Sequence, residues 1–309
     1  MILEKKRLVI IDSNALIHRA FHALPPLTAP NRELVNAVYG FLLVFLKALK
    51  DLRPEYVAAA FDLPGPTFRK EIYKEYKAKR RKAPDELYAQ IPIVKRILSS
   101  FNVPIFEKQG FEADDVIGTI AKSAQRRQIA PEIETLIVTG DLDALRLVDK
   151  NTRVYTLKKG FSDTVVYDEQ LVKERYDGLA PEKLTDYRAL RGDPSDNIPG
   201  VTGIGPKTAT ELLKKFGSLD NLYDSLESGE KSDSIPLRLK EKLIAYKEQA
   251  LFSKALAEIN TDVPIDFTLE QCRSKPLDKE KIVKIFQEFG FYSLIKRLPE
   301  SRQAKLGDF

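Results

Sequence analysis

Three short apolar runs, each followed by an aspartate, stand out in the first half of the chain. They are rich in valine, isoleucine and alanine and span residues 8–12, 56–62 and 135–141. Continuous apolar runs of this length are typical of strands that are buried on both faces of a parallel sheet. Two weaker runs, 104–109 and 153–157, predict additional short strands.

Between these runs the apolar positions follow a helical period. The pattern predicts helices over residues 34–52, 84–101 and 114–128. Because strands alternate with helices, we predict an α/β fold with a central, mostly parallel sheet flanked by helices.

After about Glu169 the pattern becomes mainly helical. The predicted helices there span residues 181–192, 205–217, 235–257 and 278–289. We therefore expect an α/β domain over residues 1–170 and a mainly helical region over residues 171–309.

Composition narrows the class of protein. The net charge is +5, and the single cysteine, Cys272, excludes an internal disulfide. Two histidines, His18 and His22, with one cysteine disfavour a structural zinc site. The apolar run at the N-terminus is too short for a signal peptide, and the longest run, 41–46, cannot span a bilayer. We predict a cytoplasmic protein with no membrane partner.

Carboxylates gather where strands end. Asp12, Asp62 and Asp141 follow the three apolar runs, and the carboxyl ends of parallel strands share one edge of a sheet. Further acids lie on nearby segments: Glu112, Asp114, Asp115, Asp143, Asp193 and Asp196. Any one of them could be an ordinary helix cap or turn residue. Together they form an all-oxygen ligand set, which favours two or more Mg²⁺ or Mn²⁺ ions and phosphodiester hydrolysis.

Residues 68–82, FRKEIYKEYKAKRRK, form a basic segment that follows Asp62. It holds eight lysines and arginines against two glutamates, with Tyr73 and Tyr76 interleaved. Basic side chains neutralise phosphates, and aromatic rings stack on unpaired bases. We expect a basic helix above the acidic edge that contacts nucleic acid. A solvated helix with Glu–Lys pairs is the alternative.

A glycine-rich turn, GVTGIGPKTATELL, spans residues 200–213. It is not a P-loop, because Pro206 separates the last glycine from Lys207. It also lacks the third glycine of a dinucleotide site, since Thr208 stands in that position. A tight turn that ends at a helix N-terminus can bind one phosphate. We therefore predict a helix–hairpin–helix over about residues 186–216 that grips a DNA backbone. A purely structural helix connection is the alternative.

Six segments, in this order, resemble the 5′-nuclease family, which includes the N-terminal 5′→3′ exonuclease domain of bacterial DNA polymerase I and the phage flap endonucleases. The segments are HRAFHALPPL, FRKEIYKEYKAKR, GFEADDVIG, TGDLDALRLV, DYRALRGDPSDNIPGVTGIGPKTA and FGSLDNL. The resemblance implies a PIN-like or resolvase-like sheet with a helical arch over about residues 66–92. It also implies K⁺ at the helix–hairpin–helix.

The resemblance further implies roles for individual residues. The first metal cluster would be Asp12, Asp62, Glu112, Asp114 and Asp115, and the second would be Asp141, Asp143, Asp193 and Asp196. Lys77 would be a catalytic contact to the scissile phosphate, and Tyr76 would stack on a base. The expected DNA-binding residues are Arg19, Arg69, Tyr73, Tyr76, Lys77, Arg80, Arg81, Gly203, Gly205, Lys207 and Thr208.

These features lead to one main hypothesis, a structure-specific, metal-dependent 5′-nuclease. We expect it to act as a monomer on DNA with 5′ flaps or frayed 5′ ends and on RNA-primed DNA. A polymerase would work with it in cis or in trans. Two alternatives stay open: an acid-quartet RNase and a non-catalytic DNA-junction binder. The basic segment and the glycine-rich turn argue against the RNase, and a cleavage assay separates the enzyme from the binder.

Overall fold

A six-stranded sheet forms the centre of the computed structural model, which describes residues 5–80, 82–126, 133–161, 163–230 and 235–299. The strands are β1 (Lys6–Asp12), β2 (Tyr56–Ala60), β3 (Ile105–Phe106), β4 (Ile133–Thr139), β5 (Thr152–Leu157) and β6 (Thr164–Tyr167). Their order is β3-β2-β1-β4-β5-β6, and only the β5–β6 pair is antiparallel. The predicted α/β fold with a mostly parallel sheet is confirmed.

Helices of the first half cover this sheet. They are α1 (Ser13–Ala23), α2 (Asn36–Leu52), α3 (Phe68–Ile72), α4 (Asp85–Tyr88), α5 (Ile91–Ser100), α6 (Ala113–Arg126) and α7 (Glu169–Arg175). A 3₁₀ helix, Leu142–Leu147, follows β4. The connections between the parallel strands therefore contain helices, as parallel pairing requires.

The second half is mainly helical. Its helices are α8 (Leu184–Arg191), α9 (Pro206–Phe216), α10 (Leu219–Ser228), α11 (Leu237–Ala245), α12 (Lys247–Ala257), α13 (Lys279–Glu288) and α14 (Tyr292–Ile295). Two further 3₁₀ helices span Pro181–Lys183 and Glu270–Cys272. Within the described residues, no helix is long and apolar enough to cross a membrane.

The sheet separates two apolar cores, and β1 contributes to both. Val9 and Ile11 pack with α1, α2, α5 and α13 on one face. Leu8 and Ile10 pack with α6 and with helices of the second half on the other face. Because side chains alternate along a strand, one continuous apolar run supplies both cores. This explains why the run that forms β1 carries no polar position between Leu8 and Ile11.

Two predicted helices differ from the structure. The helix predicted over 235–257 is two helices, α11 and α12, which meet at Tyr246. The helix predicted over 84–101 is also two, α4 and α5. Helix α1 and strand β6 were not predicted at all. The start of α1 is hidden in the sequence because Asp12 ends β1 and caps α1 without a loop between them.

The basic segment is not the continuous helix that was predicted. Only α3 is helical, and residues 74–79 form turns. Lys77 has a φ of +56°, a left-handed conformation that cannot continue a right-handed helix. Residues 73–80 instead lie across the carboxylates, as described below.

The glycine-rich turn connects α8 to α9. Gly192 and Gly200 approach so closely that a Cβ on Gly200 would lie 2.2 Å from the Gly192 nitrogen. The Gly200 amide donates to the Ser253 hydroxyl of α12 at 3.0 Å. Glycine is required at this crossing because any side chain would push the two backbone segments apart.

Candidate metal centre

The carboxyl ends of β1, β2 and β4 lie side by side at one edge of the sheet, with β1 in the middle. This is the edge at which open parallel sheets bind ligands. Asp12 ends β1 and is only 3% exposed, and its Oδ2 accepts from the Thr139 hydroxyl at 2.6 Å. Asp62 follows β2 and accepts from the Ala113 amide at 2.7 Å. That bond fixes the start of α6, and therefore Glu112 and Asp114, at the same edge.

We call Asp12, Asp62, Glu112 and Asp114 the first carboxylate centre. Burial, and after it the charges of Asp62 and Asp141, raises the pKa of Asp12 to about 7, although hydrogen bonds from Thr139 and Ala15 oppose the rise. Burial and the charges of Asp12, Asp141 and Asp143 raise the pKa of Asp114 well above its ordinary value. Mutual repulsion of this kind is relieved when a cation binds among the carboxylates.

A second carboxylate centre comprises Asp143, Asp193 and Asp196. One oxygen from each lies within 4.8 Å of the others, the one such trio among the described residues. Asp193 and Ile198 exchange backbone hydrogen bonds of 2.9 Å, and Asp193 Oδ1 also accepts from the amide and hydroxyl of Ser195. This tight turn directs Asp196 toward Asp143. Asp141 caps the 3₁₀ helix that carries Asp143.

Both centres fit divalent cations. Their donors are carboxylate oxygens, several of them buried, and they converge on one edge. Hard ions such as Mg²⁺ and Mn²⁺ prefer oxygen ligands of this kind. In the second centre one oxygen from each of three carboxylates lies within 4.8 Å of the others, so a cation bound there would offset their mutual repulsion.

Basic side chains lie among these acids. Lys77 Nζ is 2.6 Å from Glu112 Oε1, and Arg80 Nη2 is 2.5 Å from Asp196 Oδ1. Arg188 of α8 contacts both Asp143 and Asp193. Burial would raise the pKa of Asp193, but Arg188 and Ser195 outweigh it and hold that pKa below its ordinary value.

Sequence reasoning missed Arg188. The signal was present, because an arginine five residues before Asp193 lies in the segment DYRALRGD, on the last turns of a predicted helix. Thr139, which orients Asp12, was also missed.

The structure corrects the roles expected for Asp115 and Arg69. Asp115 is fully buried, and its two oxygens accept from Arg69 Nη1 and Nη2 at 2.7 Å each. They also accept from the amides of Glu112 and Asn260. Arg69 is 3% exposed and donates further to the Leu256 carbonyl. Asp115 therefore positions Glu112 and has no oxygen free for a metal, and Arg69 is not available to DNA.

The tyrosines of the basic segment are also placed differently from expectation. Tyr76 is 4% exposed, and its hydroxyl lies 3.1 Å from Glu112 Oε2 and 3.2 Å from Asp196 Oδ2. Burial, and then the charge of Glu112, raises the pKa of Tyr76. Tyr73 packs edge-on against Phe252 at 5.4 Å. In this conformation the Tyr76 ring is covered by protein and is not open to a base, whereas Tyr73 is half-buried.

The remaining expected DNA-binding residues lie at two places. Arg19 is half-buried beside Gly140, next to Asp141. The turn residues Gly203, Gly205 and Lys207 are exposed and Thr208 is half-buried, about the start of α9. No side chain caps this helix at Gly205, so its first amides remain available to an anion. Arg81 lies outside the described residues.

Two family models match the chain in succession. The model described as 5′-3′ exonuclease, N-terminal resolvase-like domain, covers residues 7–177. The model described as 5′-3′ exonuclease, C-terminal SAM fold, covers residues 179–280.

Curated relatives extend the match over nearly the whole chain. DNA polymerase I of Caldicellulosiruptor bescii is 45% identical over 294 residues, which cover 94% of this chain and 33% of that protein. DNA polymerase I of Bacillus subtilis is 42% identical over 299 residues, which cover 96% of this chain and 33% of that protein. The chain thus spans about a third of the length of these relatives.

Solved structures show the same fold. Phage T5 5′-exonuclease with bound zinc is 20% identical with a TM-score of 0.67, covering 83% of this chain and 90% of that one. A pseudo-enzyme–product complex of the phage T5 flap endonuclease with DNA and metal ions is 18% identical with a TM-score of 0.68. It covers 91% of this chain and all of that one.

Proposed function

The chain belongs to the 5′-3′ exonuclease family, and on this premise we propose that it is a structure-specific, divalent-metal-dependent 5′-nuclease. The observation that carries the proposal is the convergence of two carboxylate centres at the edge of the sheet where strands β1, β2 and β4 end. The basic segment lies directly over this edge. An acidic edge that holds cations, next to basic side chains that attract phosphates, suits phosphodiester hydrolysis.

The first centre would hold one ion through Asp12, Asp62, Glu112 and Asp114. The second would hold another through Asp141, Asp143, Asp193 and Asp196. A divalent cation at such a site supplies a Lewis acid for the phosphate and makes water a better nucleophile. Mg²⁺ is the ion we propose, with Mn²⁺ as a substitute.

Residues of the chain would complete the site. Lys77 lies 2.6 Å from Glu112, so its ammonium group is close enough to the carboxylates to hold charge that develops on the scissile phosphate. Thr139 keeps Asp12 oriented, and Asp115 keeps Glu112 oriented through its backbone amide. Tyr76 would stack on a base only after its hydroxyl leaves Glu112 and Asp196.

The duplex would bind at the turn before α9. Exposed Lys207 and the uncapped amides of that helix form a phosphate site whose contacts do not depend on the DNA sequence. K⁺ bound at the same turn would help to hold the phosphate. We propose DNA with 5′ flaps or frayed 5′ ends, including RNA-primed DNA, as substrate. We further propose that the protein acts as a monomer in the cytoplasm, together with a polymerase in cis or in trans.

The test is cleavage of a labelled 5′-flap duplex with Mg²⁺, beside blunt duplex, single-stranded DNA and single-stranded RNA. We expect cutting near the flap junction that EDTA abolishes. An Asp141→Asn variant should lose cleavage, whereas Asp168→Asn, an equivalent change at the N-cap of α7, should keep it. Cleavage of RNA without regard to the junction would instead support the acid-quartet RNase. Tight junction binding without cleavage would support the non-catalytic binder.

A further inference from the structure

Three arginines approach the second carboxylate centre from different elements. Arg146, on the 3₁₀ helix after β4, lies 3.8 Å from Asp143. Arg188, on α8, contacts Asp143 and Asp193. Arg80, in the basic segment, lies 2.5 Å from Asp196. Each of the three carboxylates therefore has a guanidinium partner, and three negative charges face three positive ones. This centre is balanced in charge by the protein itself.

Arg188 and Arg80 differ in how firmly they are held. Arg188 projects from a helix, and its side chain is 17% exposed. The Arg80 side chain is 49% exposed and belongs to the turns of the basic segment. An exposed ion pair is weak because water screens it, so Arg80 is the partner that can leave.

Both carboxylate oxygens of Asp196 accept a hydrogen bond while the basic segment is closed. Its Oδ1 accepts from Arg80, and its Oδ2 accepts from the Tyr76 hydroxyl at 3.2 Å. The Asp196 carbonyl also accepts from the Lys77 amide at 2.9 Å. A cation that binds Asp196 would lie close to the Arg80 guanidinium at the same carboxylate, and the two positive charges would repel each other.

We infer that Arg80 is an exchangeable counter-ion of the second centre, which competes with a divalent cation for Asp196. Occupation of this centre by metal and closure of the basic segment then disfavour each other. On the proposed function, DNA phosphates would take Arg80 away from Asp196 and thereby strengthen binding of the ion. By thermodynamic linkage, the ion would strengthen binding of DNA by the same factor.

Calorimetric titration of the metal-free full chain with Mn²⁺, without DNA, tests this inference. We expect Arg80→Ala to lower the Kd of the weaker Mn²⁺ site about fivefold, the size expected for a half-exposed ion pair. The matched control is Lys82→Ala, which removes a cation of the same segment. Lys82 pairs with Asp85 at 2.9 Å and lies away from the centre, so this variant should titrate like the wild type.

A second measurement uses the unmutated protein. Hydrogen exchange in peptides covering residues 73–80 should be faster with Mn²⁺ than in EDTA, because the Lys77 amide loses the Asp196 carbonyl. An unchanged or higher Kd in Arg80→Ala, or exchange that Mn²⁺ leaves unchanged or slows, would overturn the competition. The flap-cleavage assay is independent of both readouts. Cleavage with an unaltered titration would refute only this inference, and absence of cleavage would refute only the proposed function.

Discussion

Replacing Asp12 by asparagine should stabilise the metal-free protein while it removes a ligand of the first carboxylate centre. Asp12 is 3% exposed and is held by the Thr139 hydroxyl and the Ala15 amide. Burial and neighbouring carboxylates raise its pKa from an ordinary 3.8 to about 7. Asparagine has a similar shape and also caps helices well, so the main change is loss of a charge that the folded state disfavours.

The sign and size follow from proton linkage. Below pH 4 the carboxyl is protonated in the folded and unfolded states, and it contributes nothing to their difference. Between pH 4 and 7 the unfolded chain ionises first, so the free energy of unfolding falls as pH rises. A pKa difference of roughly 3 pH units corresponds to about 4 kcal/mol above pH 7. Asparagine weakens the bond from Thr139, which leaves a net gain of about 2–4 kcal/mol at pH 8.

Urea unfolding followed by circular dichroism measures this gain, since the chain has no tryptophan for fluorescence. In EDTA, Asp12→Asn should exceed the wild type in stability at pH 8 and match it near pH 4. Millimolar Mg²⁺ should raise the stability of the wild type more than that of the variant. The control is Asp278→Asn, because Asp278 caps α13 in the same way from an exposed position.

Two results would contradict this reasoning. A difference between Asp12→Asn and the wild type that is the same at pH 4 and pH 8 would show that lost hydrogen bonds, and not charge, control stability here. A less stable variant at pH 8 in EDTA would show that the carboxylates are not in conflict without metal.

Three further predictions concern other parts of the molecule. Arg69→Met should lower the free energy of unfolding by about 3–5 kcal/mol, because it leaves the Asp115 carboxylate buried without its partner. Urea unfolding measures this loss. The double variant Arg69→Met with Asp115→Asn should recover part of it. Gly200→Ala should destabilise the protein by more than about 2 kcal/mol, because its Cβ would overlap backbone atoms. The control is Gly160→Ala, because Gly160 also has a positive φ but has open space around it. This variant should lower the free energy of unfolding by only about 1 kcal/mol in thermal or urea unfolding. Equal losses of stability in the two glycine variants would refute the steric explanation. Lys207→Ala should weaken duplex binding equally for unrelated DNA sequences. It should also reduce by about one the steepness with which the logarithm of the binding constant falls with the logarithm of salt concentration. A change in sequence preference in the same titrations would count against a backbone contact.

The sequence predicted the sheet and its acidic edge because both depend on local patterns. An apolar run long enough for a buried strand, followed by an aspartate, places that aspartate at the carboxyl edge in any parallel sheet. The runs that form β1, β2 and β4 could be predicted as strands from their own residues, without knowledge of the rest of the chain. The acids of this edge, including Asp12 and Asp62, could therefore be named in advance.

The structure alone distinguished between neighbouring acids. Asp114 and Asp115 are adjacent in sequence, but consecutive positions on a helix point about 100° apart. Asp114 faces the other carboxylates, whereas Asp115 faces Arg69 and the chain near Asn260. Composition and spacing cannot separate the two, because the difference depends on which distant residues pack against α6.

The basic segment shows the same limit more strongly. Its positive charge and its tyrosines are evident in the sequence. The charge alone predicted that the segment would contact negatively charged groups. The partners that it takes in the structure, Glu112 and Asp196, are separated from Tyr76 by 36 and 120 residues. These long-range hydrogen bonds outweigh the local helix propensity, because a buried hydrogen bond is stronger than one in a solvated helical turn. The sequence determined the chemistry that gathers at this edge, and only the tertiary structure decided which side chain meets which.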